Sequence, residues 1–227
     1  MTEISPTLAA AAGSPRGYAA FLFDMDGTLL DSIAVAVRVW TRWALGHGLD
    51  PEPVTTAMHG VRAVETVRRF APHLDAEAEA AWVTREEIDD VDGVVEIPGA
   101  ARFLARLPAG RWAVVTSAPR ALALRRFAAA GLPEPPVMIS GEDVTRGKPA
   151  PDGFLAAAAA LGVPIGDCLV WEDAPAGIAA AEAAGASVMV VTATHGPDAV
   201  PGRPSIAHYD GVTVAADGAG RLVLRTG

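Results

Sequence analysis

The sequence predicts an α/β fold: a doubly wound, mostly parallel sheet with a helical segment inserted into it. Three observations carry this. Short, unalternating apolar runs recur along the chain at Tyr18–Phe23, Trp112–Thr116, Val137–Ile139, Cys168–Trp171 and Val188–Val191. Such runs suit strands buried on both faces. Helical patterns separate most of them, at Ala100–Leu107, Arg120–Ala130, Gly153–Leu161 and Gly177–Ala184. Strands alternating with helices form βαβ units around a parallel, Rossmann-like sheet. The third observation is a break: residues 32–97 offer no convincing strand.

The elements follow in order. Residues 1–17 are rich in Ala, Ser, Pro and Gly, lack an early basic cluster, and are expected to be a disordered tail. Residues 18–31 open the core domain with the first strand. Residues 32–97 are expected to form a separate helical domain inserted into it. In it Ile33, Val37, Trp40 and Ala44 fall on one helix face, with Asp31 or Ser32 as N-cap. Further helices are expected at Val54–His59, Ala63–Phe70 and Ala76–Asp89. Pro98-Gly99 marks the return to the core domain, which runs over 98–227. Tyr209–Arg225 alternates around Asp217-Gly218 and reads as a hairpin.

Composition narrows the function. The 227 residues are 51% hydrophobic and 20% charged, which excludes a disordered chain. The net charge of −9 comes without a basic stripe and argues against nucleic acid as a partner. No apolar stretch reaches the roughly 18–20 residues of a membrane span. The single cysteine, Cys168, sits in an apolar run, so a packing role is expected. One cysteine fits a reducing compartment, and the protein is expected to be cytoplasmic. Of 18 basic residues only Lys148 is a lysine. A lone lysine among arginines suggests a position that needs a compact ammonium, or a chance survivor of composition bias.

Ligands of such sheets bind beyond the carboxyl ends of the strands. The first strand ends in Asp24-Met25-Asp26-Gly27-Thr28. Carboxylates at i and i+2 along a strand point the same way, and burying both calls for a cation or a shared proton. That suits Mg²⁺, which takes one or two carboxylates with water and phosphate oxygens. The alternative is an acidic turn in which an Asp caps the following helix.

Four motifs in order resemble the haloacid dehalogenase superfamily of phosphohydrolases. They are Phe23-Asp24-Met25-Asp26-Gly27-Thr28-Leu29-Leu30-Asp31-Ser32, then Thr116-Ser117, then Lys148-Pro149, then Glu172-Asp173-Ala174-Pro175-Ala176-Gly177. The insert between the first two matches the family's small helical cap. The resemblance implies that Asp24 is the nucleophile and forms an aspartyl phosphate, with Asp26 as general acid and base. It implies a Mg²⁺ held by Asp24, Asp173 and the Asp26 backbone carbonyl. Lys148 neutralises phosphoryl charge, and Thr116 and the Ser117 amide bind the phosphate. The alternative reading of Thr116-Ser117 is a helix N-cap after a strand. Glu172 either tunes the metal shell or makes a structural pair.

Within the superfamily, Asp26 argues against dehalogenation, and the absence of a cap lysine argues against phosphonate cleavage. Phosphomutases typically carry a His twelve residues after the nucleophile, where this chain has Ala36. The resemblance is greatest to sugar-phosphate and glycerol-phosphate phosphatases, through Met58-His59-Gly60-Val61-Arg62 and Glu65–Phe70. It implies that His59 and Arg62 reach the substrate from the cap; their other reading is as exposed residues without a role. The expected partner is a small phosphorylated metabolite, with no nucleic acid and no membrane. A sugar phosphomutase and a non-catalytic phosphometabolite-binding module are the alternatives, and the chain retains every motif carboxylate and the lysine that such modules usually lose.

Overall fold

The computed structural model describes residues 16–194 and 202–226. The tail expected over residues 1–17 lies outside them, apart from its last two positions. Six parallel strands form the sheet, in the order β5-β4-β1-β6-β7-β8. They are β1 (Ala20–Phe23), β4 (Trp112–Val115), β5 (Met138–Ile139), β6 (Cys168–Glu172), β7 (Ser187–Val191) and β8 (Ser205–Ile206). The chain winds outward to one side of β1 through β4 and β5, and to the other through β6, β7 and β8. β1 is therefore the switch point, and its carboxyl end opens the ligand crevice.

Every residue of β1, β4 and β6 is buried, so these strands lack the apolar–polar alternation of half-exposed ones. Alternate side chains still divide between two faces. One face joins Phe21, Phe23, Trp112 and Trp171 to Phe103 and Tyr209. The other packs Ala20, Leu22, Val115 and Val170 against Phe154, Ala157 and Ala181. Helices α5 (Ala100–Leu104), α6 (Arg120–Ala129), α7 (Asp152–Ala160) and α8 (Pro175–Ala184) connect the strands.

The insert carries α1 (Ile33–Gly46), α2 (Pro51–Ala57), α3 (Ala63–Phe70) and α4 (Ala76–Asp89). Its ends are tied by β2 (Leu30–Asp31) and β3 (Val95–Glu96), an antiparallel pair two residues long. This short strand lies where none was expected; two residues are too few to leave a pattern. The buried face of α1 is also rotated from the expected one. Val35, Val39, Trp40, Trp43 and Ala44 are buried, whereas Val37 is exposed. The Trp43 indole donates to Glu79 Oε2 at 2.8 Å, which draws that side of the helix inward. At the helix start Asp31 Oδ1 accepts from Ile33 N at 2.9 Å, while the Ser32 hydroxyl makes no capping bond.

The expected hairpin forms from β9 (Val212–Ala216) and β10 (Leu222–Thr226). Asp217 Oδ1 accepts from Ala219 N and Arg221 N to fix its turn. Ahead of it, buried Tyr209 donates to the Thr28 carbonyl at 3.1 Å and so props the turn after β1.

Candidate active site

The chain leaves β1 at Asp24, whose N–H still donates to the Trp171 carbonyl at 2.9 Å. The next residues form a turn, with Gly27 at φ 82°. A Cβ at Gly27 would lie 2.0 Å from Asp173 Oδ2, so only glycine lets the turn approach this carboxylate. Because strand geometry ends before Asp26, the two carboxylates do not act as a parallel pair. Asp24 turns inward to Lys148. Asp26 Oδ1 instead accepts from Ser32 Oγ at 2.6 Å and Arg126 Nη1 at 2.8 Å. Both still line one cavity of about 100 Å³, with His59, Gly60, Thr116, Ser117 and Asp173.

Lys148 is 5% exposed at its side chain. Its ammonium donates to Asp24 Oδ1, to Glu172 Oε1 at 2.7 Å and to the Val115 carbonyl at 3.2 Å. These three acceptors use all three of its protons. Burial alone pulls the lysine pKa down, but Asp24 and Glu172 outweigh it and leave it raised. The lone lysine is thus where a compact charge is needed. Glu172 is fully buried, and its second oxygen accepts from Asp173 N and Ala174 N at 2.9 and 3.0 Å. Glu172 thus makes a buried pair with Lys148 and also stands in the carboxylate cluster beside Asp24 and Asp173.

Asp173 accepts from Thr28 Oγ1 at 3.2 Å and Thr194 Oγ1 at 3.3 Å. Asp24, Glu172 and Asp173 each present a carboxylate oxygen within 4.8 Å of the others. Burial raises the pKa of Asp24, and the neighbouring Glu172 and Asp173 add to the rise against Lys148. Burial raises Glu172 as well, and Asp173 adds to it. Three buried carboxylates facing one ammonium leave surplus negative charge, so the donor set fits a divalent cation.

Thr116 follows β4 directly, and its hydroxyl accepts from Ala118 N at 3.0 Å, leaving the O–H to donate. The following helix starts only at Arg120, so this hydroxyl does not cap it. Ser117 Oγ donates to the Gly60 carbonyl at 2.9 Å, joining β4's loop to the insert. His59 lines the cavity. Arg62 is not among the cavity's lining residues. Its guanidinium bonds Glu65 Oε1 and the Thr145 carbonyl at 3.3 Å, against the loop that carries Lys148.

Sequence reasoning missed Arg126 and Glu87, which also line the cavity. Arg126 shares the buried face of α6 with Leu122, Ala123 and Phe127, and Glu87 follows buried Val83 by one turn of α4. A charge on an otherwise apolar helix face was the available signal. Cys168 is buried as expected, and burial pushes its thiol up to about 11.

The parallel sheet, with the carboxylate–lysine centre at its carboxyl edge, defines a doubly wound α/β protein with a crevice site at its switch point. The comparisons with known proteins agree. A profile described as haloacid dehalogenase-like hydrolase matches residues 18–185, and the chain belongs to that family. Hexitol phosphatase A of Escherichia coli (strain K12) is 43% identical over 178 residues, covering 76% of this chain and 82% of the relative. Glycerol-1-phosphate phosphohydrolase 2 of Saccharomyces cerevisiae is 34% identical, covering 77% of this chain and 75% of the relative. A haloacid dehalogenase-like hydrolase of Bacteroides fragilis shares the fold at TM-score 0.72 and 24% identity, over 84% of this chain and 97% of that one. The protein is an enzyme, a phosphoric monoester hydrolase.

Proposed function

We propose that the protein is a Mg²⁺-dependent phosphatase that hydrolyses small sugar or polyol phosphate monoesters through an aspartyl phosphate on Asp24. The observation that carries this is the convergence of Asp24, Asp26, Thr116 and Asp173 on one cavity, with Lys148 bonded to Asp24 behind it. The relatives named as hexitol and glycerol-1-phosphate phosphatases support the substrate class.

In the first step an Asp24 carboxylate oxygen attacks phosphorus and the bond to the alkoxy oxygen breaks. Asp26 gives its proton to the departing alkoxide. In the second step Asp26 takes a proton from water, whose oxygen attacks phosphorus and releases Asp24 and inorganic phosphate. Lys148 and the Thr116 hydroxyl offset charge on the phosphoryl oxygens, beside the Ser117 amide. Asp24 and Asp173, with the Asp26 carbonyl, would hold Mg²⁺, which when bound screens the repulsion between carboxylate and phosphate. His59 meets the substrate from the insert. Arg62, also expected to bind substrate, is better read as a clasp between the insert and the Lys148 loop.

The insert limits the leaving group to small molecules. No helix among the described residues is long and apolar enough to cross a membrane. With one buried, reduced cysteine, this supports a cytoplasmic enzyme acting on soluble metabolites.

The test is phosphate release from a panel of sugar and polyol phosphates, with a sugar 1-phosphate followed for both free phosphate and 6-phosphate. Phosphate release is expected. Build-up of the 6-phosphate without it would replace this reading with a mutase.

A further inference from the structure

Beyond Asp26, the seam between insert and core holds a buried arginine that the mechanism above leaves unused. Arg126, on α6, has 5% of its side chain exposed. Nη1 donates to Asp26 Oδ1 at 2.8 Å. Nη2 lies 3.3 Å from Glu87 Oε2 on α4, close enough for an ion pair but not aligned as a hydrogen bond. Nε and Nη2 reach no hydrogen-bond acceptor among the described residues. Glu87 is itself buried, and burial raises its pKa against the pull of Arg126. Both side chains line the cavity of Asp24 and Asp26, beside Trp40 and Met58.

A buried donor left without an acceptor costs about 1–3 kcal/mol. An apolar pair would join α4 to α6 at least as well as an incompletely bonded ion pair. The combination instead matches an oxygen that accepts and donates at once. A carbinol hydroxyl does so: its oxygen accepts a hydrogen bond from Nε or Nη2, and its own O–H donates to the Glu87 carboxylate.

We propose that Arg126 and Glu87 form the leaving-group subsite, recognising a hydroxyl on the carbon next to the phosphorylated one in a polyol or sugar phosphate. This deepens the phosphatase reading above and rests on it. The bond from Arg126 to Asp26 links recognition to chemistry, because it places that hydroxyl beside the oxygen that Asp26 protonates. Glu87 belongs to the insert and Arg126 to the core, so the subsite is complete only with the two against each other. A hydroxylated leaving group therefore holds the seam shut, and a plain alkyl group does not.

The experiment compares kcat/KM for glycerol phosphate with that for propyl phosphate, which has the same carbon count and no hydroxyl. Wild type, Glu87→Gln and Arg126→Lys are measured, each checked for folding by its melting curve. The wild type is expected to favour glycerol phosphate. In each variant that preference is expected to fall ten-fold or more, chiefly through KM for glycerol phosphate. Glu87→Gln keeps the side-chain volume and decides alone if Arg126→Lys does not fold. A preference unchanged in a folded variant overturns the subsite, as does a wild type that cleaves both esters equally. Neither result touches the phosphatase reading, which fails only if the wild type releases phosphate from no ester.

Discussion

Gly177 lies so close to Glu172 that a Cβ there would stand 1.5 Å from Glu172 Oε1 and 2.0 Å from its Cδ. The glycine is helical, so it is backbone proximity rather than conformation that requires it. Glu172 has no room to yield, since Lys148, Asp173 N and Ala174 N hold both its oxygens.

Gly177→Ala therefore pushes Glu172 off Lys148. Overpacking costs about 1–3 kcal/mol, and better helix propensity returns at most about 1 kcal/mol. A melting temperature lower by about 2–8 °C is expected. Turnover is expected to fall at least ten-fold, because Lys148 loses an anchor. Calorimetry and phosphate release check both. Wild-type turnover in the alanine variant would show that Glu172 does not position the lysine.

Lys148 itself allows a sharper experiment. Its ammonium fits between Asp24, Glu172 and the Val115 carbonyl, above the Phe154 ring. An arginine fork is too wide for that space, so Lys148→Arg is expected to keep the charge and lose 100-fold or more in kcat. Lys148 is also the chain's only lysine. Mass spectrometry after mild acetylation should find it unmodified in the native protein and modified in denaturant. Rapid native labelling would contradict its enclosure.

Much of this site was legible in the sequence because buried parallel strands are continuous apolar runs that stop abruptly at polar residues. Asp24, Thr116 and Asp173 could be placed at strand ends on that ground alone. β2, β3 and β8 could not be found: each is one apolar residue beside one polar residue, unlike the equally short but wholly apolar β5. Alternation no longer applies at Asp26, because the strand ends at Phe23, yet Asp24 and Asp26 still line one cavity beyond the strand end. The face of α1 was misjudged because Trp43 turns inward to Glu79. Arg62 reads as a substrate arginine by motif, yet Glu65, three residues on, already offered it a partner along the helix. Arg126 and Glu87 needed the insert and core in place, since one bears on the other only across the seam.

Cys168 yields a prediction about pH. Its thiol is pushed up to about 11 by burial, then by Asp167. At pH 8 only about 0.1% would be thiolate, the reactive form. A thiol reagent is expected to leave the folded protein untouched at pH 8 and to titrate one group in denaturant. The folded pKa lies above the unfolded value of about 8.5, so the folded state holds the proton more tightly. Its contribution to stability is full below pH 8.5 and declines as pH rises toward 11. Cys168→Ser, which lacks this titration, should flatten the fall of melting temperature over that window.

The carboxylate cluster predicts opposite outcomes for two neighbouring residues. Glu172 is bonded to Lys148, so Glu172→Gln removes one of the ammonium's two anionic partners and is expected to destabilise the protein. Asp173 accepts from the Thr28 and Thr194 hydroxyls, and an amide oxygen can accept from both as well. Asp173→Asn keeps these two bonds and removes the repulsion that Asp173 exerts on Asp24 and Glu172, so the metal-free variant should melt no lower than wild type. With metal the order reverses. A cation at 100 times its dissociation constant stabilises the fold by about 2.7 kcal/mol. Mg²⁺ should raise the melting temperature of wild type by several degrees and that of Asp173→Asn far less. Chelation is expected to abolish phosphate release and Mg²⁺ to restore it, while Ca²⁺, with its looser and larger coordination shell, should inhibit. Full turnover in excess chelator, or an equal Mg²⁺ shift in Asp173→Asn, would show that the surplus charge of Asp24, Glu172 and Asp173 serves something other than a metal.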